Sequence, residues 1–162
     1  TRLYEQDGEV FGTRASEHQY ELIREKFPEV VYDPLSHILK IEKKDKKRIG
    51  KIAVCTAGTA DISVAEEAAQ TAEYFGANVE RIYDVGVSGI HRLLSRLDTI
   101  QSANCVVAVA GMEGALASVL RWLRGQHERS FGAAYDDQFL RERNCRREYR
   151  QRLWSRIYCN TD

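Results

Sequence analysis

Three successive segments of this chain repeat one arrangement: a short apolar run, a glycine, then a helical face. "KIAVCTAG" (51–58) leads to "SVAEEAAQTAEYFGAN" (63–78), and "VERIYDVG" (79–86) leads to "SGIHRLLSRLDTIQSA" (88–103). "NCVVAVAGMEG" (104–114) runs into "GALASVLRWLRG" (114–125). Apolar runs this short suit parallel strands buried on both faces. Strands that alternate with helices are joined by right-handed crossovers, which lay helices on the faces of a parallel sheet. The predicted fold class is α/β, a three-layer doubly wound parallel sheet. In the first helix Val64, Ala68, Ala72 and Phe75 recur at helical spacing, and Gly76 stands where a C-capping glycine belongs. In the second, Ile90, Leu93, Leu94 and Leu97 are expected to face the core.

The flanks differ in character. "SEHQYELIREKFPEVVYD" (16–33) predicts a short helix from Ser16 that Pro28 stops, so residues 1–48 form a helical appendage and charged linker. "KIEKKDKKRIGK" (40–51) is expected to be solvated, since Glu42 and Asp45 interrupt any basic patch. Residues 49–125 hold the α/β domain. Residues 126–162 read as an irregular, Arg-rich tail with little apolar period.

A chain of 162 residues is long enough to bury one core. Lys plus Arg and Asp plus Glu balance at 24 each, so the molecule as a whole has no electrostatic reason to seek a polyanion. Cys55, Cys105, Cys145 and Cys159 show no metal-ligand spacing, and the first two lie in strand-like runs where a buried thiol is expected. No apolar run approaches the ~20 residues of a membrane span and no signal peptide is visible, so the expectation is a cytoplasmic protein with no membrane partner.

Ligands of open parallel sheets bind beyond the carboxyl ends of the strands. Here those ends read "TAGTAD" (56–61), "YDVGVSGIH" (83–91) and "AGMEGA" (110–115). Glycine lets a backbone approach a ligand closely, helix starts offer free N–H groups to an anion, and Thr56, Thr59 and Ser88 add hydroxyls. Three such loops on one edge point to a phosphate-bearing ligand. Neither G-x-G-x-x-G nor a P-loop is present, which argues against an ordinary dehydrogenase or ATPase. Singly, each ionisable residue has a plain role available: Asp61 as a helix cap, Asp84 bonding its own turn, His91 solvated, Glu113 suiting a helix start.

At these loops the sequence resembles a known family. "VCTAGTADISVAEEAAQTAEYFGANVERIYDVGVSGIHRLL" and "VVAVAGMEGALASV" look like the LarB carboxylase of nickel-pincer nucleotide biosynthesis, a relative of the PurE-type purine enzymes. "FPEVVY" near Phe27 resembles that family's N-terminal region, and "AGMEGAL" with "DVGVSGIHRL" sets this branch apart from the purine mutase. The resemblance implies a PurE/flavodoxin-like fold and carboxylation of the pyridinium ring of nicotinic acid adenine dinucleotide by CO2 or bicarbonate, with hydrolysis of the phosphoanhydride to release AMP. It implies that Thr56, Ala57, Gly58, Thr59 and Asp61, with Asp84, Gly86, Val87, Ser88 and Gly89, cradle phosphate and ribose. Gly111, Met112, Gly114 and Ala115 would hold the ring carboxylates. Asp61, His91 and Glu113 are the candidates for proton handling. The resemblance further implies a homo-oligomer and no required cofactor, although phosphates could recruit Mg2+ weakly. No residue is assigned as a metal ligand. The alternatives are a PurE-type carboxyaminoimidazole ribonucleotide mutase and a non-catalytic nucleotide- or nucleic-acid-binding protein; no specific nucleic-acid partner is expected.

The family nucleophile is a cysteine in an Asn-Ser-Cys motif, which the chain as written does not contain beyond Val119. Codons for "QRLWSRIYCNTD" can be chosen so that a frame one base later reads Asn-Gly-Phe-Gly-Ala-Gly-Tyr-Ile-Ala-Thr-Gln, a family signature. In the same frame "RNCRREYRQ" can read Gly-Ile-Ala-Val-Val-Asn-Ile-Asp-Asn and "DQFLR" can read Ile-Asn-Ser-Cys-Ala. The expectation is therefore that the frame slips between Val119 and Gly125 and that the tail is out-of-frame, leaving this chain weakly active or inactive.

Overall fold

The computed structural model describes residues 4, 8–43, 46–112 and 114–124, and the backbone of 131–134. Its N-terminal unit holds β1 (Val10–Gly12), α1 (Glu17–Arg24), β2 (Val31–Asp33) and β3 (Ile38–Ile41), with the strands antiparallel in the order β1-β3-β2. Helix α1 starts as the sequence predicts: the Ser16 hydroxyl accepts the Gln19 N–H while the Gln19 side chain accepts the Ser16 N–H. It ends at Arg24, ahead of Pro28. Val30, Leu39 and Ile41 are buried together, with Tyr20, Ile23 and Phe27 packed on them.

This unit is a small sheet with a helix rather than the helical appendage expected. Its strands span only three or four residues, too short to declare a period of two. Its hairpin turn is set by Asp33, whose carboxylate accepts the N–H groups of Leu35 and Ser36. The supposed linker is partly strand, since Lys40 and Ile41 finish β3 and Ile49–Lys51 open the next strand.

The second sheet is parallel and contains β4 (Ile49–Thr56), β5 (Ala77–Ile82), β6 (Cys105–Val109) and β7 (Phe131–Ala134), in the order β5-β4-β6-β7. Pairs from Ile52↔Cys105 to Thr56↔Val109 bring β4 and β6 to an end side by side. Between the strands run α2 (Ile62–Tyr74), α3 (Ile90–Leu94), α4 (Leu97–Ser102) and, after β6, α5 (Ala115–Leu123). Alternation along the strands sorts the core. Val54 and Val109 pack with Ala65 and Ala69 of α2, whereas Ala53, Cys55, Val106 and Ala108 pack with Leu93, Ile100, Leu116 and Leu120. Each of those large side chains adds about 1.5–3 kcal/mol of burial.

Three expectations change. The face of α2 is turned by one residue: Ala65 and Ala69 are buried, whereas Phe75 is 55% exposed. An alanine-rich helix carries little to mark which stripe faces inward. The second helical stretch breaks at Ser95 and Arg96 into α3 and α4, burying Leu93 and Ile100 and leaving Ile90 and Leu94 exposed. Finally, Phe131–Ala134, placed by sequence in an irregular tail, pairs with Val106–Val109 as a fourth parallel strand. Gly76 holds its predicted place after α2, with φ +91.

Candidate functional site

The loop after β4 begins at Thr56, which is fully buried. Its hydroxyl accepts the Asp84 N–H at 2.9 Å and its carbonyl accepts the Val85 N–H at 2.9 Å. This ties the loop after β5 to the end of β4. Gly86 tightens the same junction, because a Cβ there would lie 2.5 Å from the Ala57 carbonyl oxygen. The sequence assigned that glycine to ligand approach; the contact that demands it is between two loops.

Asp61 makes the second tie. One carboxylate oxygen accepts the Gly58 N–H at 3.1 Å and the other the Gly111 N–H at 2.9 Å, so the side chain spans the loops after β4 and β6. It does not cap α2 with its own side chain. The carboxylate named for proton handling is thereby committed to holding two loops in register. All three strand ends are joined by direct hydrogen bonds.

The other predicted residues are distributed around this frame. Thr59 opens a 3-10 turn and is exposed, as is Ser88; Val87 and Gly89 sit in a second 3-10 turn against which α5 packs. Gly114 stands at the start of α5 and accepts the Ser118 N–H, with Ala115 the first helical residue. Met112 is 92% exposed at the same edge. His91 is exposed on α3, and no hydrogen bond or ion pair reaches its ring among the described residues. Glu113 lies outside the described residues.

Comparison with known proteins begins at the other end of the chain. Residues 1–44 match the model of the LarB/PurE-like N-terminal domain. The chain carries a LarB/PurE-like N-terminal domain. It is also 48% identical over 85 residues to an uncharacterized protein of Methanocaldococcus jannaschii, covering 51% of this chain and 33% of that relative. The chain thus spans about a third of the length of the curated relative it matches.

The LarB/PurE-like domain is fastened to the helix that follows the first loop. Asp33 in the domain's turn accepts hydrogen bonds from the Ser36 hydroxyl and from the Gln70 amide of α2. Burial opposes the charge of Asp33, but the bonds from Ser36, Leu35 and Gln70 together outweigh it and hold the carboxyl below its ordinary range. The Phe11 ring packs tilted against that of Tyr74, centroids 4.6 Å apart, and Lys46 sits 4.1 Å over Tyr74 while pairing with Glu9 at 3.1 Å.

Sequence reasoning passed over two features of the site region. Arg92, on α3 behind the second loop, pairs with Asp84 at 2.6 Å and brings a cation to the edge; its place directly after His91 was the available signal. Arg81 lies between Glu66 and Glu73, and the Tyr83 hydroxyl donates to Glu66 at 2.7 Å. Burial first, then the bond to Glu66, push the Tyr83 phenol well above its ordinary value. Burial also pushes the Cys55 thiol up to about 12 and raises Cys105, so neither offers a ready thiolate. Among the described residues no group of three or more His, Cys, Asp or Glu comes together to hold a metal, and no helix is long and apolar enough to cross a membrane.

Proposed function

We propose that the edge formed by the three loops binds a nucleotide and that the chain belongs to an enzyme that carboxylates the pyridinium ring of nicotinic acid adenine dinucleotide, releasing AMP. The observation that carries this reading is the joined edge itself. Asp61 and Thr56 hold three glycine-bearing loops together beyond parallel strands, in a chain with a LarB/PurE-like N-terminal domain. Thr59, Ser88 and the Gly111–Ala115 loop supply small donors, and Arg92 supplies positive charge for a phosphate or ring carboxylate.

The chemistry needs a nucleophile, since a pyridinium ring is too electron-poor to attack CO2. A thiolate that adds to the ring turns it into an enamine-like carbon nucleophile. That carbon bonds to CO2, a base removes the ring proton, and expulsion of the thiolate restores aromaticity. His91 and Glu113 are the candidates for the base. Cys55 is buried and the thiols of both Cys55 and Cys105 are raised, so neither is a ready thiolate, which points to the Asn-Ser-Cys motif legible one base out of frame. Under this reading the fold is a doubly wound three-layer PurE-like domain that functions as a homo-oligomer, and Mg2+ would arrive with the phosphates.

Incubation with nicotinic acid adenine dinucleotide and bicarbonate tests the reading. AMP and carboxylated product are expected from a frame-corrected chain, with little or none from the chain as written. Turnover of carboxyaminoimidazole ribonucleotide instead would move the assignment to the PurE-type mutase. Silence from the frame-corrected chain on both substrates would overturn it.

A further inference from the structure

We propose that Asp84 is a positioning residue: anchored by the buried Thr56 hydroxyl, it fixes the guanidinium of Arg92 over Gly89 as the oriented cation of the loop edge. The use of that cation for a nucleotide anion rests on the functional reading above; its placement does not.

Four observations carry the proposal. Asp84 has φ +57, a left-handed conformation uncommon outside glycine that Asp and Asn adopt more readily than other residues. Its surroundings hold it there, because the Thr56 hydroxyl takes the Asp84 N–H and the Thr56 carbonyl takes the next N–H along. From that backbone the Asp84 carboxylate reaches Arg92 Nη1 at 2.6 Å. The guanidinium then occupies the space a side chain at residue 89 would need: a Cβ on Gly89 would lie 2.9 Å from Nε and 3.0 Å from Nη2.

Stability alone does not account for this arrangement. The two side chains are 44% and 42% exposed, and an ion pair that exposed contributes little to folding. Geometry does account for it. Asp84 holds one nitrogen, and among the described residues Nε and Nη2 have no acceptor, so the three N–H donors on those two nitrogens stay available in a fixed orientation.

The test uses the full chain labelled at arginine. Arg92 side-chain resonances are assigned by their loss in Arg92→Lys. Slowed rotation about the Arg92 guanidinium is expected in the parent, with free rotation in Asp84→Asn, a change that tolerates the left-handed backbone. Thr56→Val should also release it, and Thr56→Ser should restore it. Binding of nicotinic acid adenine dinucleotide should weaken roughly two- to fivefold in Asp84→Asn, the range an exposed pair supports. Free rotation already present in the parent, or restricted rotation surviving Asp84→Asn, overturns the proposal. If the dinucleotide binds neither these chains nor a frame-corrected one, the functional reading fails and the Arg92 resonances still decide this one.

Discussion

Thr56 exposes no surface, yet its hydroxyl and its carbonyl each take an N–H from the loop after β5. Thr56→Val keeps the shape and leaves the Asp84 N–H without its acceptor. The expected loss is about 1–3 kcal/mol in urea unfolding, with Thr56→Ser recovering most of it. Gly86→Ala would place a methyl 2.5 Å from a backbone oxygen that cannot swing aside. It should destabilise by about 1–3 kcal/mol and loosen the loop edge, visible as weaker nucleotide binding at an unchanged fold. Cys55, with its thiol raised to about 12, should resist thiol reagents in the native protein and react only on unfolding. Labelling under native conditions as fast as in urea would contradict that. At this scale the residues that the sequence singled out as ligand-binding are ones that the structure shows holding two loops together. "TAGTAD" and "YDVGVSG" are special because they contact one another, and a contact across 28 residues between Thr56 and Asp84 leaves no local signal.

Elements follow the same division. Helix α1 was legible because Ser16 and Gln19 form a local capping box, and the end of α2 because Gly76 is local too. The inward stripe of α2 was not, since among so many alanines only the sheet decides which face is covered. Helix α2 also carries Gln70, and through it the helix is tied to Asp33 of the N-terminal domain. The folded-state value of Asp33 lies below the ordinary 3.8, so its contribution is present above about pH 4 and is lost as pH falls below that. Glu9 and Glu73 shift the same way, so the parent should lose stability in acid through several groups. Asp33→Asn isolates one of them. It should cost about 1–2 kcal/mol at neutral pH, and its deficit against the parent should shrink as the pH approaches 3. A deficit that stays constant with pH would show that the hydrogen-bonded carboxylate is not what matters there.

For the molecule as a whole, the parallel sheet and its core decide whether any site exists. Leu93, Ile100, Leu116 and Leu120 are fully buried between helices and strands. Leu116→Ala should cost about 2–5 kcal/mol, a large part of the roughly 5–15 kcal/mol that holds a domain together. Thermal melting would check it, and nucleotide binding should fall in step with the folded fraction. The alternation of strands and helices and the three glycine-bearing strand ends are written in the residue order alone. Those depend on hydrophobic period and turn chemistry, which act between residues a few positions apart. That the N-terminal unit is a sheet, that Phe131–Ala134 pairs with β6, and that Asp61 and Thr56 bind the loops into one edge emerges once the chain is folded. Range separates the two: a hydrogen bond between Gly111 and Asp61 joins residues 50 positions apart, and nothing in either neighbourhood records it until the strands lie side by side.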